Sequence, residues 1–328
     1  MAEARKGTPQ IVAVGGGKGG VGKTLLSANL ALSLADRGLR VLLVDADLGG
    51  ANAHTVLGLP APLVSLSDFL ERKAELDQLA VTTPYANLRF ISGALDDVQA
   101  ANPQHQSKMR LLRNLSTFDT DFLILDLGAG TGFNTLDFFL IASCGILVVL
   151  PEPTSVENAY RFLKAAFFRR LAVVEKAFGI KDIVDEARAQ RNKLNIHTPA
   201  DLLRAVAERD PDVGKQVHQQ MSRFRPRLVM NQSRNNDGTD DAHVAADMAS
   251  ACRRFLGIQL EVLGTLPDDD AVRRAVRLRQ PLRISAPDSR IKKAIDEIAT
   301  RVLQLSDVTG TTPREVTMGD TKRPRGAA

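Results

Sequence analysis

Gly17-Lys18-Gly19-Gly20-Val21-Gly22-Lys23-Thr24 stands directly after the apolar run Ile11–Val14 and directly before the Leu- and Ala-rich stretch Thr24–Arg37. It satisfies G-x-x-x-x-G-K-[ST] in the strand–loop–helix setting that the motif requires. Glycines let successive backbone N–H groups curl around phosphate oxygens at the start of a helix. Lys23 then reaches the β- and γ-phosphates and the Thr24 hydroxyl ligates Mg2+, with Leu25 counted among the nucleotide-binding residues as the loop enters the helix. At background glycine usage a chance match in such a chain is on the order of one in a hundred, so ATP and Mg2+ are the expected ligands. Gly15, Gly17 and Gly20 also fit G-x-G-x-x-G. A dinucleotide site, however, leaves Lys23-Thr24 unexplained.

Outward from this loop, short apolar runs alternate with helical stretches. The runs are Ile11–Val14, Val41–Val44, Leu88–Ile91, Phe122–Leu125, Ile146–Leu150, Leu228–Met230 and Glu261–Leu266. Several are apolar at every position, as in strands buried on both faces. The expected fold is therefore α/β, of P-loop NTPase type: a mostly parallel, twisted sheet of about seven to eight strands with helices on both faces. Gly38 is placed to end the first helix, and Thr154-Ser155-Val156-Glu157 reads as a capping box opening a later one. Residues 161–223 carry no strand signal and read as a helical insertion on one side of the sheet, with a helix over Ala200–Glu208. One ATPase domain is expected over residues 1–306, followed by a polar tail, 307–328, expected to be disordered.

The composition agrees with a soluble globular chain: 328 residues, 44% hydrophobic and 25% charged. Its two cysteines, Cys144 and Cys252, give neither a disulfide framework nor metal-ligand spacing, and the amino terminus lacks an apolar signal segment. A cytoplasmic location is expected, peripheral at a membrane or nucleoid at most. The formal charge of +5 is concentrated at Arg223, Arg225 and Arg227, and at Arg273, Arg274, Arg277, Arg279 and Arg283. Such clusters suit an anionic partner or simply form a solvated helix face.

Lys18 immediately after Gly17 gives the deviant form K-G-G-x-G-K-[ST], and here the chain resembles the MinD/ParA family. Asp45-Ala46-Asp47-Leu48-Gly49-Gly50-Ala51-Asn52 looks like that family's switch I, and Asp126-Leu127-Gly128-Ala129-Gly130 its switch II. Pro151-Glu152-Pro153-Thr154-Ser155, Asn231 and Leu266-Pro267-Asp268-Asp269 extend the resemblance, in order, from about residue 11 to 301. The Asp45–Asn52 and Gly128–Phe139 segments most resemble the MinD and FlhG branch.

The resemblance implies an ATP-hydrolysing switch that dimerises on ATP, driven by in-line attack of water on the γ-phosphoryl group. Asp47 would orient that water, Asp126 would hold the Mg2+ shell with Thr24, and Asp45 would support the magnesium waters. Lys18 would reach across a face-to-face dimer to the partner's nucleotide. The Gly130 N–H would sense the γ-phosphate, Asn52 would belong to the nucleotide site, and Asn231, Pro267 and Asp268 would line the adenine pocket. A protein partner that stimulates hydrolysis is also implied. The cellular role would be spatial placement of a division, flagellar or polar assembly.

The alternative is a partition ATPase of the ParA type on nonspecific DNA, for which the basic clusters argue. An iron–sulfur carrier lacks its Cys-x-x-Cys here, and a cobyrinic acid amidase its glutaminase domain. Ser143-Cys144 stands where relatives often carry an acidic residue, so no role is transferred there. Met1–Gln10 lacks the Asp-Gln-Ala motif of many FlhG-like proteins. The stripe Ile291, Ile295, Ile298, Val302, Leu305 reads as core packing, and the tail offers no apolar face, so membrane contact is not supported by it.

Overall fold

Every apolar run named above becomes a strand, because wholly apolar, β-branched segments gain most when both faces are covered. The computed structural model describes residues 8–93, 105–179, 181–182, 184–185, 196–234 and 239–308. The strands are β1 (Gln10–Gly15), β2 (Val41–Ala46), β3 (Val81–Thr82), β4 (Leu88–Ile91), β5 (Phe122–Leu127), β6 (Cys144–Val149), β7 (Arg227–Ser233) and β8 (Glu261–Pro267). They form one eight-stranded sheet ordered β3-β4-β2-β5-β1-β6-β7-β8. All pairings are parallel except β3 with β4. The two-residue edge strand β3 was too short to leave a periodic signal in the sequence.

Alternate residues feed opposite cores. From β1, Ile11 and Ala13 join one cluster, while Val12 and Val14 join the other. The first cluster also takes Phe138, Phe162 and Phe167 from the helices Phe133–Ile141 and Pro153–Phe178. The second takes the helix Lys23–Ala35 and the stripe Ile291, Ile295, Ile298 and Val302 of the helix Arg290–Val308. That stripe is core packing, as its spacing suggests. Gly38, at φ 84°, follows the first helix and its N–H donates to the Ala35 carbonyl.

Two details differ from the sequence expectation. No capping box forms at Thr154–Glu157: the helix already starts at Pro153, with Glu152 before it and no side-chain cap. Proline is favoured at the first helical position, which moves Ser155 inside the first turn. Its hydroxyl instead accepts the Leu150 N–H at 3.0 Å, bracing the chain just after β6. Between β6 and β7 the helix expected over Ala200–Glu208 spans Pro199–Arg209, and Pro211–Met221 follows it. Leu202, Val206, Val217 and Met221 all join the first cluster, on one side of the sheet. Most of the tail expected to be disordered, residues 309–328, lies outside the described residues.

From β1 the chain passes outward to β2 and β4, returns to β5, then runs the other way through β6, β7 and β8. In open sheets of this kind ligands settle at the carboxyl ends of the strands, where the order reverses. The glycine-rich loop leaves β1 at that point.

Candidate active site

Packing and backbone conformation both dictate glycine in the loop. A Cβ at Gly17 would lie 2.2 Å from the Asn158 carbonyl oxygen, and one at Gly22 would lie 2.3 Å from Asn231 Nδ2. Gly22 adopts φ 95° and Gly20 φ 74°, where side chains are strained. By contrast, Cβ atoms at Gly19 and Gly20 would meet nothing within 4 Å. The loop is pinned at both ends and open along its crest. Val21 is buried beneath it. Gly22 precedes the helix Lys23–Ala35 without any side-chain cap. Uncapped first-turn N–H groups form an anion site with the positive end of the helix dipole.

Strand register assembles the acids. Asp45 pairs with Asp126 across β2 and β5, and Asp126 pairs with Val14 of β1. Paired residues on neighbouring strands lie about 4.8 Å apart, so the two carboxylates arrive side by side next to the loop. Both are buried, at 1% and 2% exposure. Asp126 Oδ1 accepts from Ser27 Oγ at 2.9 Å. Asp45 accepts the N–H groups of Ala53 at 2.9 Å and Asp47 at 3.2 Å. Burial, and then the Asp45 charge, push the Asp126 carboxyl up; burial likewise raises Asp45. Lys23, 8% exposed, donates to the Lys18 carbonyl at 3.3 Å. Burial lowers its ammonium, while the charges of Asp126 and Asp47 oppose that shift.

A buried acid pair beside a threonine hydroxyl and an anion-binding loop is the donor chemistry of a hard divalent cation bridging to phosphate. Among the described residues no group of three or more His, Cys, Asp or Glu could hold a metal alone. The Asp126 carboxylate and Thr24 hydroxyl suit Mg2+, which takes one or two carboxylates and completes its shell with water and phosphate. The raised carboxyls have a stability consequence. A folded-state pKa above the unfolded value gives stability that is full at low pH and is lost as pH rises through the folded pKa. For Asp126 that loss runs from the ordinary carboxylate range through about 7. Asp126→Asn keeps the Ser27 hydrogen bond and removes the charge. Its nucleotide-free melting temperature should match wild type below about pH 3.8 and exceed it increasingly up to about pH 7; equal pH profiles in thermal melts would contradict this.

The remaining sequence candidates fall into two groups. Asp47 is half-buried, and its Oδ1 accepts the Gly49 N–H at 3.2 Å. A Cβ at Gly128 would stand 2.9 Å from that same oxygen, so Asp47 lies against the segment following β5. Lys18 is exposed, its ammonium 4.0 Å from the Glu152 carboxylate. The Gly130 N–H donates to the Gly16 carbonyl at 3.3 Å rather than standing free for a phosphate. In the second group, Leu25, Asn52, Asn231, Pro267 and Asp268 line a cleft of about 530 Å³ that also takes in Lys23 and Thr24.

Asn231 also braces the loop. Its amide nitrogen donates to the Val21 carbonyl at 2.8 Å, and its oxygen accepts the Gln232 N–H at 2.9 Å. It holds the glycine loop to the end of β7. Sequence reasoning missed Ser27, Thr55, Val56, Gln232 and Arg234. Ser27 was one helical turn beyond Thr24, but no motif marked it. Arg234, beside Asp268 at 3.6 Å, lines the cleft mouth with Gln232. Of the basic clusters, Arg273, Arg274, Arg277 and Arg279 are exposed on and after the helix Asp270–Leu278. Arg227 instead pairs with Glu261 at 3.1 Å between β7 and β8.

Residues 12–282 match the family model described as the CobQ/CobB/MinD/ParA nucleotide binding domain. The antiactivator FleN of Pseudomonas aeruginosa is 31% identical over 296 residues, covering 89% of this chain and 86% of that protein. The flagellum site-determining protein YlxH of Helicobacter pylori is 25% identical over 305 residues, covering 90% and 82%. Among solved structures, the septum site-determining protein MinD of Pyrococcus horikoshii, complexed with Mg-ADP, superposes with a TM-score of 0.62 at 21% identity, covering 92% of this chain and 98% of that one.

Proposed function

The chain belongs to the CobQ/CobB/MinD/ParA nucleotide-binding family, and from that membership we propose that it is a Mg2+-dependent ATPase that dimerises around ATP to place a cellular assembly. The observation that carries the reading is the buried Asp45–Asp126 pair set beside Lys23, Thr24 and an uncapped helix start. Loop N–H groups and Lys23 bind and orient the phosphates, while Thr24 and Asp126 hold Mg2+, with Asp45 behind them. Mg2+ held there would supply neutralisation of the phosphate charge. Asp47 orients the attacking water, and Lys18 from a second copy neutralises charge developing on the transferred group. The base lies in the cleft lined by Asn231, Pro267 and Asp268.

The flagellar and septal relatives support placement of a flagellum or division site as the cellular task, with a protein partner stimulating hydrolysis. Among the described residues no helix is long and apolar enough to cross a membrane. A DNA-bound partition role is the second reading, favoured by the exposed arginines of Asp270–Leu278. Salt-dependent retention on nonspecific duplex, with ATP and not ADP, would support it. The primary test is phosphate release from Mg-ATP. Lys23→Ala should reduce it to background together with nucleotide affinity, and turnover that survives this change would refute the assignment.

A further inference from the structure

We propose that Asp137, gripped between Lys108 and Arg169, is a positioning residue that fixes the pose of the segment following Asp126–Gly130 and thereby sets the rate of hydrolysis. This rests on the ATPase reading above. The helix Phe133–Ile141 lies between the helices His105–Ser116 and Pro153–Phe178 on one face of the sheet. Asp137 accepts from Arg169 Nε at 2.7 Å and Nη2 at 2.9 Å, and pairs with Lys108 Nζ at 2.6 Å. The middle helix is thus held from both sides through one carboxylate.

Two of its three members are withdrawn from water: the Lys108 and Asp137 side chains are 8% and 13% exposed, while Arg169 is half-buried. Lysine is almost never so deeply buried unless paired. Burial works to raise the Asp137 carboxyl, but the hydrogen bonds from Arg169 and Lys108 hold it below the usual range. Buried ion clusters of this kind commonly add little stability over apolar packing, because desolvation offsets the attraction. What they supply is a fixed geometry.

That geometry bears on the site at two points. The helix begins three residues after Gly130, whose N–H rests on the Gly16 carbonyl. Its Phe139 packs edge-on against Phe162 at 5.0 Å, and a Cβ at Gly15 would meet both rings at 3.3 Å. Displacement of this helix therefore reaches the end of β1 and the loop backbone together. For Gly130 to turn from Gly16 toward a γ-phosphate, the chain leading into the helix must move, and Asp137 anchors what it moves against.

The cluster also carries two cations for one carboxylate. Removing Asp137 would leave the buried Lys108 without its carboxylate and facing the half-buried Arg169, so Asp137→Asn risks the fold. Lys108→Met leaves a neutral bidentate Asp137–Arg169 pair and is the informative variant. Expected are a kcat lowered about tenfold, a KM for ATP within about twofold, and an undiminished melting temperature. Lys108→Arg should restore kcat, and nucleotide-free amide exchange over residues 128–135 should quicken in Lys108→Met. Unchanged kcat in Lys108→Met, or a fall in kcat that tracks a lost melting temperature, would overturn the proposal. A wild-type protein without ATP turnover would instead sink the enzymatic reading. Amide exchange then decides the clamp: faster exchange in Lys108→Met upholds it and identical exchange overturns it.

Discussion

Lys18→Ala is expected to lower Mg2+-dependent ATP turnover by on the order of 10³-fold, the scale of a charge supplied in trans to phosphoryl transfer. Nucleotide affinity of the single chain should change little. The ammonium of Lys18 is exposed, its ion pair with Glu152 is long at 4.0 Å, and its backbone carbonyl already serves Lys23. An exposed pair of that kind is worth little, so Lys18 can exchange Glu152 for a second copy's phosphates at small loss. Titration with a fluorescent ATP analogue should therefore give a near-normal Kd, while sizing in Mg-ATP should give a monomer. A variant that still dimerises removes the trans role.

Asp47→Ala should have the opposite signature. Turnover should fall on the order of 10²–10⁴-fold, the usual contribution of a positioned acid–base group, and the ATP-bound dimer should accumulate. The carboxylate lies between its own turn and Gly128, its Oδ1 2.9 Å from where a Cβ at Gly128 would stand. It is therefore in place to link the two acidic segments once nucleotide arrives. Single-turnover hydrolysis separates this from a binding defect, and a turnover close to wild type would exclude Asp47 from orienting water.

The parts of this protein legible in the sequence are those written in contiguous residues. The loop Gly17–Thr24 announced its strand, its helix and its ligand class, and the strand-end acids Asp45 and Asp126 lay at the ends of wholly apolar runs. What strand pairing adds is their adjacency, which no local pattern states. Local signals also misled where tertiary partners compete. Ser155 bonds the Leu150 N–H rather than capping a helix, because Pro153 already starts it. Asn231, marked in the sequence only as a pocket residue, also braces the glycine loop through Val21. Lys108, Asp137 and Arg169 come from three helices with no shared spacing, so only packing reveals that they meet.

Sedimentation velocity of the wild-type chain in Mg-ADP, in a non-hydrolysable Mg-ATP analogue and without nucleotide tests the shared site most directly. A site completed by Lys18 of a second copy predicts a dimer with the ATP analogue and a monomer in the other two conditions. A monomer in all three, or the same dimer in all three, would contradict it.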